Sequence, residues 1–188
     1  MILGAWLAGS ACIDLVAVHN FRAVERFMSD PGIRYAEQIH TAGRAETRSL
    51  LRHLAAEQNR FYFEQWEWVQ LALGLSLLLL FVFGSRPPIL SIVLCLAMLI
   101  IVLIDRFGLT PQITALGRSL DNLAETAQSG ERKVFWVLHN AYSGLELVKL
   151  ALGFGIAGRM IIRRKPDQAM FARESQLDDI SRPPRAES

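Results

Sequence analysis

Residues 88–104 read PILSIVLCLAMLIIVLI, with no charged side chain from end to end. A bilayer core needs about 20 predominantly apolar helical residues to cross it. A soluble helix of this length would carry its apolar residues as a stripe, not as an unbroken block. The stretch therefore predicts a membrane span. Just before it, Gly84-Ser85-Arg86-Pro87-Pro88 reads as a tight turn, and residues 68–83 read WVQLALGLSLLLLFVF. The two runs form an antiparallel helical hairpin. Further out lie two more apolar runs, Met1 to Val18, interrupted by Asp14, and Val134 to Ile162. The expected fold is an all-α integral membrane four-helix bundle, with spans at about 1–18, 66–84, 87–105 and 134–158.

Composition agrees with this reading and narrows the function. Of the 188 residues, 52% are apolar, and the formal net charge is only +2. Basic and acidic residues are interspersed, which is not the footprint of a nucleic-acid-binding chain. Cys12 and Cys95 both lie inside apolar runs without a C-x-x-C spacing, so they read as small hydrophobes rather than a disulfide or zinc pair. A secretory leader opens with positive charge. No Lys or Arg precedes Arg22, so the first run reads as a retained span.

Between the spans the chain predicts extramembrane amphipathic helices at about 31–65 and 111–127, on one face of the bundle. Helix one continues to Ser29-Asp30-Pro31-Gly32, with Asp30 as a cap and Pro31 at a first helical position. A second helix weakens near Gly43. From Ala45 to Phe83 nothing breaks helix more strongly than Gly74, so one long helix begins in water and runs into the second span. Phe61-Tyr62-Phe63, Trp66 and Trp68 mark the headgroup region, where aromatic rings prefer to sit. Thr110-Pro111 reads as another cap and helix start, followed by an apolar stripe of Ile113, Leu116, Leu120 and Leu123. From residue 163 to 188 the chain is polar, with three prolines, and reads as a largely disordered tail.

The two long connections fall on one face, here face B, and the short turn and the tail on face A. Face B carries eleven Lys and Arg and face A eight, with Lys149 inside the fourth span. Positive charge favours the cytoplasm, which places face B there, against the pull of Arg159, Arg163, Arg164 and Lys165 at the other end. The expected location is the cell membrane, with several passes.

The fourth span carries the one constellation suited to chemistry. His139, Tyr142, Ser143, Glu146 and Lys149 fall at i, i+3, i+4, i+7 and i+10, a stripe about 120° wide. Asn140 sits at its edge. A charge at membrane depth costs at least ~2.5 to 3.5 kcal/mol, so such a stripe faces protein or water. Asp14, with Ser10 on the same side of the first span, lies about 6 Å inside face B, a depth similar to that of His139. His19, Glu67, Gln70 and Asp105 enter from face B as a periphery.

Two readings of this cluster stand side by side. Glu146 can neutralise Lys149 within one helix, or Asp14 can pair with Lys149 as glue between spans one and four. Alternatively, Asp14, His139 and Glu146 can hold a divalent transition metal, or a chain of these groups can bind a small polar solute or pass protons. Haem between His19 and His139 is disfavoured, because His19 sits at least a turn shallower. The arginines at 44, 48 and 52 form a stripe that reads as a solvated face. No G-x-x-x-x-G-K-[ST], H-E-x-x-H or G-x-S-x-G occurs, so a non-enzymatic role is expected.

Three strings carry a resemblance: Gly4-Ala5-Trp6-Leu7-Ala8-Gly9, Leu109-Thr110-Pro111-Gln112-Ile113 and Leu138-His139-Asn140-Ala141-Tyr142-Ser143-Gly144-Leu145. With the order span, long link, hairpin, amphipathic helix, span, they resemble small bacterial multi-pass membrane families of unknown function. The architecture is distantly similar to that of CopD-type copper-resistance proteins. The resemblance implies a multi-span helical fold and carries over no activity. The chain lacks a Met/His/Cys-rich segment for copper.

The expected function is binding or conduction of a small polar species or ion at the intramembrane cluster. The alternatives are a structural or assembly subunit of a membrane complex, and a metal-dependent membrane-embedded enzyme. The expected surroundings are a lipid bilayer, with no nucleic acid. Homo- or hetero-oligomeric contacts would run through the membrane or extramembrane helices.

Overall fold

A computed structural model describes the backbone of residues 1–84, 89–121 and 130–181, and the side chains of residues 1–84, 89–120 and 130–162. Every element among the described residues is helical. Helix α1 spans Ile2–Ser29, α2 Gly32–Ala42, α3 Arg44–Phe83, α4 Ile89–Ile104, α5 Thr110–Asp121 and α6 Gly130–Ser181. A π-helical turn, Asp105–Leu109, joins α4 to α5.

The breaks follow from local chemistry. Pro31 has no N–H and ends α1, and Gly32 and Gly43 take φ values of +69° and +91°, a backbone region that favours glycine. They turn the chain on either side of α2. No side chain caps α2, so Asp30 does not have the capping role that its position suggests. Helix α3 has 40 residues, or about 60 Å at 1.5 Å per residue. That is about twice the thickness of a bilayer core, so a helix crossing the core also projects well beyond it.

The expected start of a separate helix at Thr110-Pro111 is corrected. The chain stays helical from α4 into α5, and the Thr110 N–H bonds back to the Asp105 carbonyl. This i to i−5 bond widens the turn just before Pro111, which has no N–H to give to the ladder. The Thr110 hydroxyl goes to Glu67 instead. Residues 85–88, where the hairpin turn falls, and 122–129, which include Leu123 and the end of the 111–127 helix, lie outside the described residues. The backbone of α6 is helical to Ser181, past the point at residue 163 where composition suggests a tail. Residues 182–188 lie outside the described residues.

Among the described residues, three helices are long and apolar enough to cross a membrane: Ile2–Ser29, Arg44–Phe83 and Ile89–Leu120. Their outward residues include Leu15, Leu75, Leu80, Phe83, Val93 and Ile100, all large, apolar and exposed. An apolar exterior of this extent suits lipid rather than water. Helix α1 packs along α3, α3 along α4, and α4 and α5 along α6, while α1 meets α6 over a shorter stretch. The apolar core gathers Leu3, Trp6, Leu77, Phe81, Cys95, Met98, Val102 and Ile156. Gly74 and Gly153 let it close. A Cβ at Gly74 would come within 2.8 Å of Trp6, and one at Gly153 within 2.6 Å of Leu7.

Candidate functional site: a buried ionic network beside a cavity

Beyond the apolar core, the helices enclose charge. On α6, Tyr142, Glu146 and Lys149 are buried at i, i+4 and i+7, so one face of the helix points inward. Glu67 and Gln70 on α3 and Asp105 in the π turn are each 0% exposed, and Lys149 is 1% exposed. The Lys149 ammonium donates to Glu146 Oε1 at 2.5 Å and lies 3.6 Å from Asp105 Oδ2. Arg106 sits 3.8 Å from Glu67 Oε2, with its guanidinium 5.0 Å above the Trp68 ring. The Thr110 hydroxyl donates to Glu67 Oε1. The Trp6 indole N–H donates to Gln70 Oε1 at 3.0 Å, and that of Trp66 to Ser10 Oγ at 3.3 Å.

This network ties α3, α4 and α6 together through charge. A desolvated ion is tolerated only when partners offset the loss of water. Lys149 has two carboxylates, and Glu67 has a cation and a hydroxyl. The π turn makes this possible, because it brings Asp105, Arg106 and Thr110 onto the inner side within one widened stretch of helix.

Beside the network lies a cavity of about 520 Å³, walled by α1, α3, α5 and α6. Asp14, His139, Tyr142, Ser143 and Glu146 all contribute to its wall, together with Thr110 and a ring of apolar and aromatic side chains. Glu146 thus belongs to both features, bonding Lys149 on one side and lining the cavity on the other. Tyr142 is 8% exposed, and its hydroxyl has no hydrogen-bond partner. The Phe63 ring meets Tyr142 edge-on at 5.8 Å. His139 stacks on Phe135, with centroids 5.9 Å apart, and its backbone carbonyl accepts the Ser143 hydroxyl at 3.0 Å.

Several expectations change on this evidence. Asp14 forms no ion pair with Lys149. The cation is taken by Glu146 and Asp105, and Asp14 stands on the cavity wall, within electrostatic reach of Glu146 and Lys149. Among the described residues no three of His, Cys, Asp and Glu come together as a metal-holding group, so Asp14, His139 and Glu146 are not assembled as ligands. One Glu146 oxygen is held by Lys149. Asp105, Glu67 and Gln70 are not peripheral, because they form the buried centre. Ser10 is buried against Trp66. His19 lies away from the network, 3.3 Å from Arg26, and Asn140 faces outward.

Sequence reasoning missed Trp6, Arg106 and Thr110. Trp6 reads as one more apolar residue, and the other two read as loop and cap. The π turn that recruits them has no signature beyond Pro111.

Outside the membrane segments, ion pairs join the same helices. Glu57 on α3 accepts both Nε and Nη2 of Arg118 from α5 at 3.0 Å and Arg60 Nη1 at 2.5 Å. The Arg118 hydrogen bond, with Arg60 behind it, pulls the Glu57 carboxyl down from 4.5 to about 2. Glu25 on α1 accepts Arg48 and Arg52, and Arg44 donates to the Met28 carbonyl. The stripe of arginines at 44, 48 and 52 is therefore a seam between α1 and α3. Asn59 donates to the Ala17 carbonyl at 3.1 Å and accepts from Asn20 at 2.7 Å. Comparison of the chain with protein-family models, with curated proteins and with solved structures finds no match.

Proposed function

We propose that the chain is a four-span, non-enzymatic membrane protein that binds or conducts a small polar species or ion in the cavity beside its buried ionic network. The observation that carries this reading is the cavity of about 520 Å³ with Asp14, His139, Tyr142, Ser143 and Glu146 on one wall. Ionisable residues at membrane depth are functional candidates by default, and here they border open space. Support for α6 as a fourth span comes from its outward residues. Val137, Leu147, Val148, Phe154 and Ile161 are large, apolar and exposed, while its buried charge is met by Asp105 within the protein.

The alternative, an assembly subunit with the polar residues as glue, draws support from one specific observation. Lys149 bonds Glu146 at 2.5 Å and lies 3.6 Å from Asp105. The two readings apply to different parts: the Lys149 network serves cohesion, and the cavity wall serves binding.

The test is a cysteine at Ser143 in a background lacking Cys12 and Cys95. A membrane-impermeant thiol reagent should label it from the face that carries the long connections and not from the other. Protection from both sides, or labelling from the opposite side, would remove the cavity as a binding site open to face B.

A further inference from the structure

The chemistry of the cavity wall narrows its occupant, on the footing that the cavity is the binding site. Two carboxylates face it, Asp14 from α1 and Glu146 from α6. Asp14 has no hydrogen-bond or ion-pair partner among the described residues, and it feels Glu146 as a like charge and Lys149 as an opposite one. The cation on the wall, Arg60, is held by Glu57 at 2.5 Å. Lys149, which answers Glu146, belongs to the buried network behind the wall and does not line the cavity. The wall therefore carries two carboxylates and one cation that is already paired.

Elsewhere the wall mixes polar side chains, Asn59, Thr110, Thr114, His139 and Ser143, with apolar and aromatic ones. Phe21, Phe63, Phe135 and Tyr142 line it from three helices, and aromatic faces attract cations. At the flanks, Val18 is 48% and Leu147 is 68% exposed, so the edges of the cavity are continuous with the lipid-facing exterior. A small inorganic cation would gain little from such walls, and an anion would meet two carboxylates.

The geometry points to a lipophilic organic cation, a quaternary or protonated centre carrying aromatic or aliphatic groups, as the ligand of this cavity. Its charge sits between Asp14 and Glu146, and its apolar groups cover the phenylalanines.

The experiment uses the full chain in nanodiscs of phosphatidylcholine, titrated calorimetrically with tetraphenylphosphonium and, separately, with neutral triphenylphosphine oxide. The wild type binds the cation and not the oxide. Asp14→Asn weakens cation binding roughly 10- to 100-fold, the worth of a contact with a charged group. Its unfolding temperature stays unchanged, because Asp14 holds no partner. Leu147→Trp, which fills the mouth, abolishes binding. No binding of the cation, equal binding of cation and oxide, or an unaltered affinity in Asp14→Asn overturns the proposal. Oxide binding that Leu147→Trp removes would retain the cavity while rejecting its preference for a cation. Failure of the Ser143 labelling would instead strike the cavity itself.

Discussion

Lys149 shows how one residue can be read correctly in kind and only in part in its partners: the expected contact with Glu146 forms, at 2.5 Å, and the expected one with Asp14 does not. Its position on the α6 stripe predicts an ammonium at membrane depth that needs an anion. The anion on the neighbouring helix is Asp105, at 3.6 Å, not Asp14. Removing one member of a buried ionic group leaves the others uncompensated, at a cost of about 3–5 kcal/mol. Lys149→Met is therefore expected to lower the unfolding temperature sharply in detergent. Adding Asp105→Asn and Glu146→Gln should restore much of the loss, since the triple variant buries no unpaired charge. If the losses merely add, the three groups are not coupled. Asp14→Asn with Lys149→Met should bring no such recovery.

At the scale of the element, close helix contact depends on glycine where a large partner crosses. Gly74 on α3 receives Trp6 from α1 and Leu99 from α4, so a Cβ there would lie 2.5 Å from Leu99 and 2.8 Å from Trp6. Gly74→Ala is expected to cost about 1–3 kcal/mol by overpacking. Thermal unfolding of the variant measures this, and a stability equal to wild type would show that Trp6 can shift freely. The continuity of α3 was legible because residues 45–83 contain no proline. The passage from α4 to α5 was not. Thr110-Pro111 is a good helix start by its residue types, yet the chain stays helical there through a π turn closed by the Thr110 N–H to Asp105 carbonyl bond. The turn converts two loop-like charges and a hydroxyl into interior groups.

Across the whole molecule, ion pairs outside the membrane segments hold the long helices in register. Glu57 joins α3 to α5 through Arg118. Its carboxyl falls from 4.5 to about 2 on folding, so it binds a proton less readily in the folded chain than in the unfolded one. The stabilisation is complete above about pH 4.5 and is lost as pH falls towards 2. Glu57→Gln should be less stable than wild type at pH 7, and the gap should close on acidification through that window. A gap that is constant with pH would mean that the Arg118 contact works by packing alone. These exposed pairs are modest individually, and their arrangement matters more than their strength, since they set the positions of the helices around the cavity.

The sequence by itself predicted an all-helical chain with four spans, of which three are helices long and apolar enough to cross a membrane, and an inward polar stripe on the fourth run, which is buried at Tyr142, Glu146 and Lys149 and exposed at His139 and Ser143. These conclusions rest on local quantities: run length, the period of 3.6 residues, and the cost of a charge in hydrocarbon. It also brought forward Asp14, His139, Tyr142, Ser143 and Glu146, all of which line one cavity. Only the tertiary structure decided that Asp105 and not Asp14 joins Glu146 at Lys149, that Asp105, Glu67 and Gln70 are the buried centre, and that Asp14 and Glu146 line one cavity. Partner choice depends on the rotation and rise of one helix relative to another, which the packing of Trp6, Gly74 and the π turn sets jointly. No single stretch of the chain contains that information.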